Sequence, residues 1–220
     1  MISKYFYPYG IKAPELNTQG TYENDSPLGA VIHYTASQGK NILPIINTAR
    51  TNNYCFNIID DQGLFYQTHE LNRWGYHCGE SEWGFLGKNL SRKLIGIEIT
   101  SPGFIDTYEK KSFDGDLQLI KGKAWYDKED KNYLCRYNNG LYNEYKLGWY
   151  SAFSEKQERT LIQFLLWSEK TFKKFSFDNV VGHHEISPIR KSDPSSCLSY
   201  PMQNFRLYLK EKSLTHNDLI

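Results

Sequence analysis

Residues 94–100 read LIGIEIT, a stretch in which every second side chain is a branched apolar one. This alternation predicts a β-strand, because successive side chains of a strand point to opposite faces of the sheet. The apolar face consists of Ile95, Ile97 and Ile99. The other face carries Gly96 and Glu98, so the stretch predicts a core strand that presents a single carboxylate on its second face.

Further strand and helix patterns alternate along the chain. Strands are expected at 29–35, 54–59 and 64–67, and at the start of 180–194. Helices are expected at 41–51 and 154–175, and the second begins with a capping box formed by Ser154 and Gln157. Strands interleaved with two helices predict an α/β fold with a mixed central β-sheet flanked by helices.

The chain divides into an arm and one domain. Residues 1–27 are rich in Tyr, Pro, Gly and Asn, and are expected to form an irregular arm packed on the domain. Residues 28–220 are expected to form a single domain, a length that one well-filled core can support. Within it, residues 101–150 lack sustained periodicity and indicate an insertion with a small hairpin at 125–145. Residues 74–89 are expected to form a loop.

Composition argues against several classes of protein. The formal net charge of +1 disfavours a nucleic-acid binder, which carries a strong basic excess. No apolar run of about 18 residues occurs, so no transmembrane segment is expected. The first residues also lack the apolar core of a signal peptide. The four cysteines are Cys55, Cys78, Cys135 and Cys197, and none of them are in CxxC spacing, which argues against a zinc ribbon. The sequence leaves their disulfide state open.

Residues 180–194, VVGHHEISPIRKSDP, carry the functional groups that a plain loop does not need. The stretch holds His183 and Asp193, and His33 lies near the end of the strand at 29–35. Two imidazoles and one carboxylate form a usual catalytic zinc set, which leaves a fourth position for water. Zinc lowers the pKa of such a water to about 7.

Two further residues supply what hydrolysis at such a site requires. Glu98 is the candidate general base for the water. Lys191 is the candidate cation for the oxyanion that forms on the attacked carbonyl. His184 competes with His183 as the ligand, because neighbours on an extended segment point to opposite sides.

Each of these residues also has a simpler explanation. A histidine on a strand is more often a hydrogen-bonded core residue than a metal ligand. Glu98 is also explained as an outward-facing strand residue, and Asp193 before a proline as a turn former. Lys191 near Asp193 is also explained as a solvated ion pair. Spacing alone leaves these alternatives open.

Five stretches occur in the order found in the zinc-dependent N-acetylmuramoyl-L-alanine amidases of the type-2 family, which this chain resembles over about residues 28–200. They are VIHYTAS, IIDDQGLFYQ, YHCGESEW, NLSRKLIGIEI and VVGHHEISPIRKSDP. That family includes phage amidase-lysozymes and the peptidoglycan recognition proteins. The resemblance implies the family's mixed-sheet fold and hydrolysis of the amide between N-acetylmuramic acid and L-alanine in peptidoglycan or muropeptides.

The resemblance also implies roles position by position. One Zn²⁺ per chain is assigned to His33, His183 and Asp193. Glu98 becomes the catalytic carboxylate, Lys191 the oxyanion cation, and His184 receives no ligand role. An aspartate as third ligand indicates the bacterial AmpD/AmiD-like branch. The substrate contacts implied in the groove are His77, Trp83 and Asn57.

The chain departs from the family's pattern at a few positions that bear on specificity, among them Leu94, Tyr76 and Ser195. The expected partner is peptidoglycan or a muropeptide, and the expected state is a monomer. The bacterial cell envelope or periplasm is the expected location, with the cytoplasm as the alternative. A non-catalytic peptidoglycan-binding module and a phage-type endolysin are the alternative functions.

Overall fold

The fold is described from a computed structural model, which describes residues 3–23, 25–37, 39, 41–109 and 117–215. Parts of the expected arm (1–2 and 24), insertion (110–116) and domain end (216–220) therefore lie outside the described residues. The strands are β1 (Ile11–Lys12), β2 (Gly20–Thr21), β3 (Gly29–Tyr34), β4 (Asn57–Ile59), β5 (Phe65–Gln67), β6 (Arg73–Trp74), β7 (Glu82–Trp83), β8 (Gly87–Lys88), β9 (Leu94–Ile99), β10 (Phe104–Ile105), β11 (Gln118–Gly122), β12 (Lys131–Asn138), β13 (Gly148–Ser151) and β14 (Val180–Gly182). The helices are α1 (Leu43–Thr51), α2 (Glu155–Thr171), α3 (His183–Ile186) and α4 (Met202–Thr215).

The central sheet has the strand order β1-β5-β4-β9-β3-β14. Its neighbours pair in parallel except β4 and β5, which form an antiparallel hairpin. The mixed central sheet predicted from the sequence is therefore confirmed. The stretch that predicted a core strand is β9, which lies between β4 and β3.

One face of this sheet is covered by α2 and α4. The isoleucines of β9 pack there with residues of both helices, including Leu161, Phe164, Leu165 and Phe205. The capping box of α2 is present, and the Gln157 side chain also donates to the Thr100 carbonyl at 2.8 Å. The start of α2 is thereby fixed to the end of β9.

Helix α4 is absent from the sequence expectation. Its buried residues are Met202, Phe205 and Leu209. This apolar stripe is narrow in a helix that otherwise carries polar and charged residues, so the periodic signal is weak. The pattern that marks α2 is broader by comparison.

The arm and the insertion are more regular than expected. In the arm, β1 extends the central sheet beside β5, and β2 pairs with β6. The insertion forms a second, antiparallel sheet with the order β10-β13-β12-β11. Its strands form two hairpins, β11–β12 and β12–β13, and the hairpin expected at 125–145 overlaps both of them.

Residues 74–89 form the expected irregular segment, apart from Trp74 at the end of β6, the short ribbon of β7 and β8, and a single 3-10 turn at Gly84–Leu86. The four cysteines are buried and free. Among the described residues, no helix combines the length and apolar character needed to cross a membrane.

Candidate metal centre and active site

Parallel pairing brings the two candidate histidine ligands to one end of the sheet. His33 is the fifth residue of β3, and His183 begins α3 directly after β14. β14 pairs with β3 in parallel, so the chain leaves both strands at the same sheet edge. The loop after α3 returns Asp193 to this edge, where its backbone carbonyl accepts a hydrogen bond from the His184 backbone N–H at 2.8 Å.

Three ligand atoms converge at this edge. His33 Nδ1 lies 2.9 Å from His183 Nδ1, and each nitrogen lies 3.1 Å from Asp193 Oδ2. The residues are 2%, 3% and 7% exposed, respectively. The structure thus brings together the three residues that the sequence proposed as a metal-ligand set.

The hydrogen-bond partners of His183 determine which of its ring nitrogens is free to bind a cation. Its Nε2 lies 3.0 Å from the Cys78 carbonyl, which only accepts, so Nε2 carries the proton and Nδ1 a lone pair. Burial, and next the neighbouring His183, lower the pKa of His33 to about 3, so its ring is neutral.

Lone pairs and a carboxylate that point at one another repel unless a cation lies between them. The donor set of two imidazole nitrogens and one carboxylate oxygen is one that zinc takes in catalytic sites. The residues present therefore fit a metal ion.

Glu98 lies beside this group on the same face of the sheet, as the register partner of His33. Its Oε2 is buried and has no hydrogen-bond partner among the described residues. Burial, and next the nearby Asp193, raise the pKa of Glu98 to about 8, while Lys191 acts in the opposite direction. A buried carboxylate oxygen without a partner is unusual and indicates a group that water or substrate completes.

Lys191 is half-buried on the ligand loop, and its backbone N–H donates to the Ser187 carbonyl at 2.9 Å. Its charge favours the ionised form of Glu98 and so opposes the burial that raises the pKa of that carboxyl. The oxyanion role of Lys191 stays a prediction.

The three expected substrate contacts fall in different places. His77 contacts the outer nitrogen of His33, with its Nδ1 3.3 Å from His33 Nε2. Trp83 is half-buried, and the Arg206 guanidinium lies over its ring at 5.4 Å. It lines a cavity of about 480 Å³ together with residues of the insertion, α3 and α4.

Asn57 is not brought to the site. It is fully buried and pairs with Ile97, whose side chain lies on the face covered by α2, whereas His33 and Glu98 lie on the other face. Its Oδ1 accepts from the Thr68 backbone N–H at 3.2 Å. A groove contact from Asn57 is therefore inconsistent with its position.

His184 turns away from the ligand group. Its Nδ1 donates to the Asp193 carbonyl at 3.0 Å, so it supports the ligand loop through the backbone. This position agrees with the choice of His183 as the ligand.

Two supporting groups escaped the sequence reasoning. Arg190 Nη2 donates to the carbonyls of Cys78 at 2.7 Å and Glu80 at 2.9 Å, which fastens the ligand loop to the segment facing it. Asn143 of the insertion donates to the Ser192 carbonyl at 3.2 Å. Arg190 is part of the motif at 180–194, but the sequence analysis gave it no role. Asn143 could not be identified from sequence, because its partner lies 49 residues away and no local pattern marks the contact.

Comparison with known proteins agrees with this geometry. A family profile described as N-acetylmuramoyl-L-alanine amidase matches residues 23–196. No curated protein sequence matches the chain.

Solved structures share the fold at low sequence identity. A selenomethionine AmpD derivative is 15% identical with a TM-score of 0.56, over 94% of this chain and 98% of that one. The amidase LysC from Clostridium intestinale is 13% identical with a TM-score of 0.53, over 93% and 99%. The Staphylococcus aureus hydrolase AmiA, solved with its ligand, is 12% identical with a TM-score of 0.52, over 93% and 84%.

These likenesses establish the fold, and the profile, which spans most of the chain, establishes the family. The chain belongs to the N-acetylmuramoyl-L-alanine amidase family, the enzymes that hydrolyse the amide bond between N-acetylmuramic acid and L-alanine in peptidoglycan and its muropeptide fragments.

Proposed function

We propose that this amidase is a zinc enzyme whose metal is held by His33, His183 and Asp193. The observation that carries the proposal is the convergence of two Nδ1 lone pairs and a carboxylate oxygen beside the unpartnered Oε2 of Glu98. A buried group of this kind is costly without a cation, because three acceptors face one another.

When bound at this site, zinc supplies a Lewis acid that polarises the scissile carbonyl and lowers the pKa of water. Glu98 accepts a proton from the attacking water and delivers it to the departing amine of L-alanine. A cation close to Glu98 favours its ionised form, which offsets the burial that raises its pKa in the metal-free chain.

Lys191 completes the proposed site. Its ammonium group gives a positive charge beside the carbonyl oxygen on which negative charge develops. The interaction strengthens as the reaction proceeds, so it lowers the barrier more than it tightens substrate binding.

We further propose that the enzyme acts as a monomer in the cell envelope. The three ligands and Glu98 all come from one chain, so the site needs no second copy. The envelope location rests on the resemblance of the sequence to envelope enzymes of the AmiD type. Chromatography with light scattering and cell fractionation test these two points.

Digestion of purified peptidoglycan, followed by mass spectrometry, tests the reaction. The expected products are free stem peptides that begin with L-Ala, formed by the zinc-loaded protein and not by the Glu98→Gln variant. Binding to peptidoglycan without release of any peptide would contradict the proposal and favour a non-catalytic binding module.

Soluble anhydro-muropeptides serve as the second substrate. Faster cleavage of intact peptidoglycan supports an envelope enzyme, whereas faster cleavage of the soluble fragments favours the cytoplasmic alternative. Lysis of intact cells by added protein would instead favour the endolysin alternative.

A further inference from the structure

The His77 side chain contacts the side of the His33 ring that faces away from Asp193. Its ring stands edge-on to the ring of His33, with centroids 5.5 Å apart and planes at 86°. His77 Nδ1 lies 3.3 Å from His33 Nε2, the nitrogen that faces away from Asp193. On its far side, His77 Nε2 lies 3.0 Å from the Leu94 carbonyl.

The Leu94 carbonyl fixes the direction of these hydrogen bonds. The Leu94 carbonyl only accepts, so His77 Nε2 carries a proton and donates it. With its proton on Nε2, the His77 ring offers a lone pair on Nδ1, where it accepts from His33 Nε2–H. This leaves the lone pair of His33 on Nδ1, the atom that faces His183 and Asp193.

The backbone around His77 is built to hold the ring in this place. A Cβ at Gly96 would lie 2.6 Å from His77 Cγ, so only glycine at this position of β9 leaves room for the imidazole. The backbone N–H of His77 donates to Ser91 Oγ at 3.1 Å, and that of Cys78 donates to the same oxygen at 3.2 Å. The ring is thus fixed from both the sheet and the loop.

The second histidine ligand is oriented from the same segment. His183 Nε2 donates to the carbonyl of Cys78, the residue after His77. The segment that was expected to line the groove therefore holds the outer nitrogens of both ligands.

We infer that His77 is a positioning residue that fixes the ring and tautomer of His33 for metal binding, and not a residue that contacts substrate. The inference rests on the proposed zinc site. Outer partners of a ligating histidine orient its ring and raise its basicity, and their loss costs about 10- to 100-fold in metal affinity.

Two substitutions separate this role from simple packing. His77→Leu fills similar space over Gly96 but offers no acceptor to His33. His77→Asn retains an acceptor oxygen near the position of Nδ1. The measurement is the zinc dissociation constant, by competition with a chromogenic chelator, together with the thermal melting of each metal-free protein.

The expected result is zinc binding weakened by about 10- to 100-fold in His77→Leu and largely restored in His77→Asn. Equal zinc affinity in His77→Leu and the parent protein would overturn the inference, while absence of zinc binding by the parent would instead refute the proposed zinc site.

Nitrogen-15 chemical shifts of the parent protein give a readout that depends on no variant. Protons on Nε2 of both His33 and His77 support the inference. A proton on Nδ1 of His77 reverses the direction of the hydrogen bond and overturns it.

Discussion

His33 and Glu98 lie opposite each other on adjacent parallel strands, as register partners of β3 and β9. Because register partners project from the same face of a sheet, a candidate ligand and the candidate base are set side by side by backbone pairing alone. The position of each therefore does not depend on the side chain of the other. This independence allows the two roles to be separated by substitution.

Substitution of any one ligand tests the metal site. His33→Ala, His183→Ala and Asp193→Ala should each lose stoichiometric zinc and activity, since two remaining ligands hold zinc poorly. His184→Ala is the matched control, because His184 contacts only the backbone of the ligand loop in this group. Elemental analysis of the purified variants checks the result, and loss of zinc in the control alone would show that the wrong histidine was chosen.

Glu98→Gln should retain zinc and lose turnover. The amide keeps the shape of the side chain but accepts no proton from water at neutral pH. General-base loss costs about 10²- to 10⁴-fold in rate. Rates on a muropeptide substrate, measured beside zinc content, check this, and near-normal turnover would leave Glu98 as an ordinary strand residue.

Lys191→Ala should lower kcat with little change in KM. The loss of one oxyanion donor costs on the order of 10²-fold in kcat. Zinc content should stay at the parent level, since Lys191 is not among the ligand atoms that converge. Steady-state kinetics of the variant check this prediction. An unchanged kcat would show that Lys191 is a solvated loop cation without an oxyanion role, and a raised KM alone would show that it contributes only to substrate binding.

Stability of the metal-free protein should depend on pH through Glu98. Its pKa is raised from 4.5 to about 8, chiefly by burial, so the folded chain holds a proton that the unfolded chain has released between these values. This group's contribution is therefore fully present below about pH 4.5 and is lost as pH rises toward 8.

Glu98→Gln removes that contribution, because an amide does not titrate. The unfolding free energy of the variant should rise relative to the parent between pH 5 and 8, as measured by denaturant titration at each pH with zinc removed by chelation. A difference that stays constant across this range would mean that the carboxyl has an ordinary pKa.

The features predicted from sequence are those with local patterns. Alternation marked β9, the capping box marked α2, and the dense motif at 180–194 marked the ligand loop. The face on which Asn57 lies also follows from alternation with Ile59, but the resemblance to the family suggested a groove contact. Helix α4 carries a stripe too narrow to stand out.

The remaining features arise from contacts across long stretches of chain, which no local pattern encodes. β1 pairs with β5 far along the sequence, and Arg190 reaches carbonyls more than a hundred residues away. The role inferred for His77 is of the same kind, since it depends on two partners from different strands.

The hydrogen bond from Asn143, in the loop between β12 and β13, to the Ser192 carbonyl joins the insertion to the residue before Asp193. Ser196, just past that ligand, donates to the Arg136 carbonyl of β12 at 3.0 Å. Hydrogen bonds to the insertion on both sides of Asp193 thus hold the loop that carries this ligand. An exchange of the insertion between related enzymes would therefore also change the contacts that hold Asp193 in place, so it should alter metal retention as well as substrate selectivity.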